Sequence, residues 1–486
     1  MAPIDVLPDD VLLAIFDFCV DQNFLRQYIY EEVTEHVEMW QALVHVCRRW
    51  RTIVFGSPLR LDLALVCTAK TPARDTLDVW PPLPLVILSH GYYRTNSDFP
   101  IEWVDNIIAV LKRKDRVCQI SLMDIPNSRL EELLAAVQEP FPELTHLRLG
   151  SSGGPVIPDL FLGGSAPRMH TILLDGILFP GLSKLLLSTT HLVGLHLLNI
   201  PHSGYISPET MATILSTLPG LEHLCLEFQS PQSFPDQKSR RPPPLTRSIL
   251  PVLADFTFKG VSEYLEYFVA RIDAPQLNRL YITIVDHIVL HTPQVIQFVN
   301  CTPKLKALEN GHVIFGDNAA WVKLSPVSPQ TSYREGLAVK IPCSGRLDQE
   351  VWYLERVITL SLPPLSALED LYIYKDINSR LDWQDKIENA MWLELLHPFP
   401  AVKNVYLCRK FAPRIIPALQ ELVASGSRAT EMLPNLQNIF LEELHSSGFV
   451  QEGIREFIAA RHVGSHHIGV SRWDNPEQDK ISVICS

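Results

Sequence analysis

Three stretches of this 486-residue chain contain residue types with reactive potential. Ser89-His90-Gly91 has the form of an oxyanion-loop motif, but no Gly-x-Ser-x-Gly elbow supplies a nucleophile for it to serve. GSSGGP at 150–155 offers backbone amides of the kind that cradle phosphate, yet it follows a strand pattern directly and reads as a loop. His462, His466 and His467 are close enough to share a metal, but nothing nearby completes a ligand set. The sequence also lacks G-x-G-x-x-G, P-loop and H-E-x-x-H motifs, so the expectation is a chain that is not an enzyme and needs no metal or cofactor. Binding chemistry is better represented. Tyr281, Tyr372, Tyr406 and Phe440 each follow, two residues on, a polar residue: Arg279, Asp370, Asn404 and Asn438. Aromatic and Arg side chains carry a disproportionate share of energy at protein interfaces.

These pairs sit inside a phrase of the form apolar-x-x-apolar-x-apolar that occurs ten times, at Val117, Leu144, Met169, Leu192, Leu221, Leu253, Leu277, Leu368, Val402 and Leu436. Side chains alternate across a strand, so the third and fifth positions of each phrase face away from the core, and the aromatic pairs become a row on an open, concave floor. Two readings of that row stay open: it binds a partner, or its rings stack across parallel strands and hold the sheet together. Helix-period stripes separate the phrases. Leu130, Leu133, Leu134 and Val137 follow a capping box at Ser128 and Glu131; Met211, Ile214, Leu215 and Leu218 follow Ser207-Pro208. One strand and one helix cannot bury their apolar faces alone, whereas stacked copies can. The fold class expected is an α/β solenoid, with a curved array of parallel inner strands and outer helices over 83–486. Segments 229–245 and 310–350 interrupt the repeat and read as loop insertions, the second able to hide one more unit around "GLAVKI".

Lys and Arg total 42 against 54 Asp and Glu, a net charge of −12 without a basic run, which argues against nucleic acid and anionic membranes as partners. Nine scattered cysteines with no C-x-x-C pair read as free thiols in a reducing, intracellular compartment, cytoplasmic or nuclear. The first twenty residues hold four aspartates and no Lys or Arg, the reverse of a secretory leader.

The first 57 residues stand apart, with 58–82 as a connector. "LPDDVLLAIFDFC" opens a helix whose Leu12, Ile15, Phe16 and Cys19 fill one face while Val11, Leu13 and Phe18 occupy much of the rest, so both sides call for cover. Further on, "WQALVHVCRRWRTIVF" places Trp40, Leu43, Val46, Cys47 and Trp50 on one stripe. Leu-Pro-acidic-x-Leu followed by Val-Cys-x-x-Trp-Arg resembles the F-box, here at Leu7, Pro8, Asp9, Val11 and Leu12 and at Val46, Cys47, Trp50 and Arg51; the whole chain is similar to fungal F-box proteins with irregular leucine-rich repeats. The resemblance implies a small helical clamp for the Skp-family adaptor of a cullin-RING ubiquitin ligase, formed by Leu7, Pro8, Leu12, Ile15, Phe16, Val46, Cys47 and Trp50. It further implies a repeat domain that selects a target protein, through Arg279, Tyr281, Asp370, Tyr372, Asn404, Tyr406, Asn438 and Phe440. The alternative is a repeat scaffold with no ubiquitin role, its N-terminal helices folded back as a cap. The acidic stretch at 21–39 between the two helical pieces is longer than the compact motif has.

Overall fold

The computed structural model describes residues 6–19, 39–58, 60–61, 63–69, 72–90, 99–229, 246–285, 292–306, 308–326, 335–343, 346–362, 365, 367–376, 379, 387–424, 432–442, 448–462 and 468–473. They form two compact units, Met1–Leu192 and Val193–Ser486. The acidic stretch falls outside the described residues apart from Met39, as do all but Gln229 of 229–245 and His466 and His467.

Among the described residues of the first unit, the helices Asp9–Cys19, Met39–Val46 and Arg48–Gly56 precede five strands. These are β1 (Leu65–Thr68), β2 (Leu85–His90), β3 (Val117–Met123), β4 (His146–Gly150) and β5 (Thr171–Asp175), all parallel and paired in chain order. β1 lies in the segment that the sequence pattern treats as a connector. In the second unit the strands are β6 (Gly194–Ile200), β7 (His223–Phe228), β8 (Ser248–Ile249), β9 (Asp255–Gly260), β10 (Ile272–Asp273), β11 (Arg279–Ile284), β12 (Asn310–Phe315), β13 (Ala319–Ser325), β14 (Gly336–Pro342), β15 (Asp370–Lys375), β16 (Asn404–Leu407), β17 (Asn438–Leu441) and β18 (Gly469–Arg472). Their order in the sheet is β6-β7-β9-β11-β14-β13-β12-β15-β16-β17-β18, while β8 and β10 pair separately. Both units are α/β solenoid in kind, strand and helix alternating along the chain.

Every one of the ten phrases is a strand, and all three apolar positions of each are at most 4 % exposed. In nine of them the strand proper begins at the third position, because the residue before it has another task. Within a run, the carbonyl of each phrase's second residue accepts both the second and the third backbone N–H of the next. Thus Glu369 and Asp370 donate to Glu309 O, Lys403 and Asn404 to Glu369 O, and Gln437 and Asn438 to Lys403 O, at 2.7–3.1 Å. Repetition of this bond fixes the register, since a one-residue slip would turn every apolar side chain to the wrong face.

The helices lie where their stripes predict. Ser207 Oγ caps Pro208–Leu215 by accepting from Thr210 N at 3.2 Å. The expected capping box at Ser128 does not form: the helix is Asn127–Ala135, entered from Pro126 with no side-chain cap.

The described residues of 310–350 correct the loop expected there. They supply β12, β13 and β14, and β14 pairs in parallel with β11 while β13 runs antiparallel to both its neighbours. The period-2 burial of β12, with Gly311, Val313 and Phe315 in and Asn310, His312 and Ile314 half out, is what a strand with one covered face requires.

Candidate protein-binding sites

The N-terminal helices hold each other through Leu12, Phe16, Val44 and Val54, which are buried. The Phe16 ring lies 4.7 Å from that of Trp50. Arg49 ties the start of the first helix to the third, donating to Asp9 Oδ1 at 2.6–2.9 Å and to Leu7 O at 2.5 Å. The single stripe expected over 40–50 is broken at Cys47, whose backbone is extended (φ −157°, ψ 170°) and whose Sγ accepts from Trp50 N at 3.4 Å as the cap of Arg48–Gly56. Within Met39–Val46 the buried face is Trp40 and Val44; the Trp40 indole N–H donates to Ala64 O at 3.2 Å and its ring meets Trp80 at 5.1 Å and Phe55 at 6.0 Å.

Val46, two residues past Val44 on the same helix, lies off that face and points outward. It is 59 % exposed, and with Val11, Ile15 and Phe18, the last 94 % exposed, it gives the module an apolar outer side. Of the residues expected to meet an adaptor, Ile15, Val46 and Pro8 are exposed, Leu7, Cys47 and Trp50 are half-buried, and Leu12 and Phe16 belong to the interior of the module itself. Cover on both sides of the first helix is therefore not supplied by the described residues. Val11 and Phe18 belong to the outer side as well, and the sequence signal for them was the lack of polar residues around the helix.

In the second unit the aromatic row is real but differently composed. Register aligns Tyr281 with Ala338 of β14, then Lys323 of β13, His312 of β12, Tyr372, Tyr406, Phe440 and Ser471. Three strands thus lie between Tyr281 and Tyr372, and His312 takes the place beside Tyr372. The rings stack nearly parallel, His312 on Tyr372 at 4.7 Å, Tyr372 on Tyr406 at 4.1 Å and Tyr406 on Phe440 at 4.5 Å. Trp473, just past β18, sets its ring 5.8 Å from Tyr372 and 5.7 Å from Tyr406, tilted 57° and 67° to them, and is itself buried.

Beside the rings runs a ladder of hydrogen bonds: Asn404 Nδ2 donates to Asp370 Oδ1 at 2.6 Å and Asn438 Nδ2 to Asn404 Oδ1 at 2.8 Å. Burial pushes Tyr406 above the usual phenol range, with Asp370 adding to the shift. Burial, and secondarily Lys323, holds His312 down at about 3, so it is a neutral ring in the stack. Arg279 lies elsewhere in the sheet, aligned with Asp255, whose Oδ2 is 2.8 Å from Nδ1 of His223. The hydrogen bond that His223 donates to Asp255 raises His223, so this part of the sheet is a charged cluster rather than a continuation of the aromatic floor.

One buried carboxylate stands outside both faces. Glu350 is fully buried, neither of its oxygens has a hydrogen-bond partner among the described residues, and burial together with Asp317 pushes it up to about 8. Among the described residues no group of three His, Cys, Asp or Glu side chains could hold a metal, and no helix is long and apolar enough to cross a membrane.

No family model matches this chain, and no curated protein does. Among solved structures it is similar to the leucine-rich repeat-containing protein LegL7 from Legionella pneumophila, with 13 % identity over 81 % of this chain and 97 % of that one, at a TM-score of 0.28. It is also similar to the Rad7 and Elc1 complex of yeast, with 12 % identity over 90 % of this chain and 91 % of that one, at a TM-score of 0.26. Scores this low carry no argument, and the fold rests on the strand pairing and burial described above.

Proposed function

We propose that the chain is a non-catalytic substrate receptor of a Skp-cullin-F-box type ubiquitin ligase. On this reading the N-terminal helices hold a Skp-family adaptor and the aromatic face of the second unit holds a target protein. The observation that carries it is the outer side of the N-terminal module: Ile15, Phe18 and Val46 are exposed on helices whose interior is already filled by Leu12 and Phe16. An apolar patch left in water on a small helical module is the mark of a protein interface. The cysteines among the described residues are free thiols, which suits a reducing cytoplasmic or nuclear setting.

Co-purification with a Skp-family adaptor tests the first half. Ile15→Glu with Val46→Glu should abolish capture while folding stability stays within about 0.5 kcal/mol, as surface substitutions do. Equal capture by the wild type and by a chain lacking residues 1–57 would sink it.

A second reading, a scaffold whose helices cap the repeat, is favoured by the Trp40, Phe55 and Trp80 cluster and the bond to Ala64. It expects removal of residues 1–57 to lower the melting temperature of β1–β4 while every partner is still captured.

A further inference from the structure

The segment Ile468–Trp473 is built like a bound peptide. It is anchored at both ends, Ile468 being 2 % and Trp473 8 % exposed, while Val470, Ser471 and Arg472 between them are exposed. Its four-residue strand β18 pairs in parallel with β17 and is the last strand of the sheet among the described residues. Gly469 N donates to Gln437 O and Trp473 N to Leu441 O, each at 2.8 Å. Glycine at the first paired position leaves room for the amide ladder, because a Cβ there would stand 2.8 Å from Asn438 Oδ1 and push the last rung aside. The indole then reaches back over Tyr372 and Tyr406. Main-chain bonds along one edge, with pockets for the side chains at the two ends, are the means by which a sheet captures an extended peptide.

We propose that Ile468–Trp473 is an exchangeable internal ligand, and that the groove it fills, the β17 edge plus the Tyr372 and Tyr406 rings, is where the target docks. The target then presents an extended aliphatic-Gly-x-x-x-aromatic segment that replaces β18 strand for strand. This rests on the reading of the aromatic row as the target face. Two features make exchange feasible: the strand is short, and its central side chains contribute nothing buried. The aromatic stack below it does not depend on Trp473 for its own order, since His312, Tyr372, Tyr406 and Phe440 are each held by strand register.

The test uses a fluorescein-labelled peptide of the chain's own sequence, HIGVSRWD, and fluorescence anisotropy with the full chain. Trp473→Ala should bind the peptide about tenfold or more tightly than the wild type, because a groove occupied by its own chain is available only in the released fraction. Gly469→Val, which weakens the same strand from its other end, should do likewise. Adding Tyr406→Ala to Trp473→Ala, or replacing the peptide's Trp by Ala, should remove the gain. Equal binding by the wild type and both variants overturns the proposal. So does loss of a cooperative melt in both variants, which would make the segment part of the core. Peptide binding in a chain that captures no target would leave the groove standing and defeat only the reading of that face as the target site.

Discussion

The strands at the start of the first unit and those at the end of the second are built from similar phrases and differ in what lies on the face away from the helices. On β2 and β3 that face is covered: Val86 is 0 %, Leu88 6 %, Gln119 3 % and Ser121 0 % exposed, and Val86 and Leu88 form a second small apolar cluster with Ala64. On β15, β16 and β17 the corresponding residues Tyr372, Tyr406 and Phe440 are half-exposed. A parallel strand buried on both faces reads as a continuous apolar run, as in "LPLVIL", whereas one buried on a single face alternates. The lesson is that recognition belongs to the alternating strands. A doubly buried strand has no side chains left to offer a partner, whatever its resemblance to the others.

The largest test of this contrast is Leu88→Ala. It removes a side chain from the covered face of β2 and should cost about 2–4 kcal/mol, as deleting buried leucine atoms does, lowering the melting temperature of the first unit. If it costs no more than a surface change, the two faces do not differ as described.

Next in size are the pH effects, which should separate the units. In the first, burial and then the stacked His170 hold His146 at about 4. In the second, His312 is held at about 3. Both resist the proton when folded, so the unfolded chain takes it up first as pH falls below 6.5, and stability is lost from there down to those values. Glu350 acts in the opposite sense. Its folded carboxyl keeps its proton up to about 8, so stability is greatest below 4.5 and is lost as pH rises from 4.5 to about 8. Hydrogen exchange should therefore show β12–β17 losing protection on both sides of an optimum and β2–β4 mainly on the acid side. Glu350→Gln should remove the loss between pH 5 and 8; if the loss survives, the carboxyl is not its source.

Tyr406→Ala is expected to cost about 1–2 kcal/mol, because it breaks two stacked pairs each worth up to about 1 kcal/mol. Target capture should be lost as well. Capture unchanged with that fall in stability would assign the row to sheet cohesion alone. Smallest is Asp9→Asn: it removes only the exposed pair with Arg49, worth up to about 1 kcal/mol, and leaves the bond to Leu7 O, so a thermal melt should scarcely move.

Much of this was legible beforehand. The apolar-x-x-apolar-x-apolar phrase located ten strands because a core position tolerates little else, and the fifth position correctly marked Tyr372, Tyr406 and Phe440 as neighbours. The gap of 63 residues between two phrases was harder. It conceals β12, β13 and β14, which separate Tyr281 from Tyr372 and bring His312 into the stack. A signal was present in "HVIFGDNAAWVKL", two alternating runs joined by Gly316, Asp317 and Asn318, the pattern of a hairpin. At the N-terminus the stripe from Trp40 to Trp50 spans two helices that meet at Cys47, and within the first of them Trp40 and Val44 are buried while Val46 faces water.

By itself, then, the sequence determined the repeating strand–helix units, their buried positions and the apolar excess of the first helix. These are local properties, set by side-chain period and by the cost of leaving apolar surface in water. The tertiary structure alone decided that His312 completes the row, that Trp473 lies across it, that Val46 faces out while Trp40 faces in, and that Glu350 is fully buried. Each depends on which distant strand or helix lies alongside, and a hydrogen-bonded register chosen among many possible partners is not written in the residues of either partner taken alone.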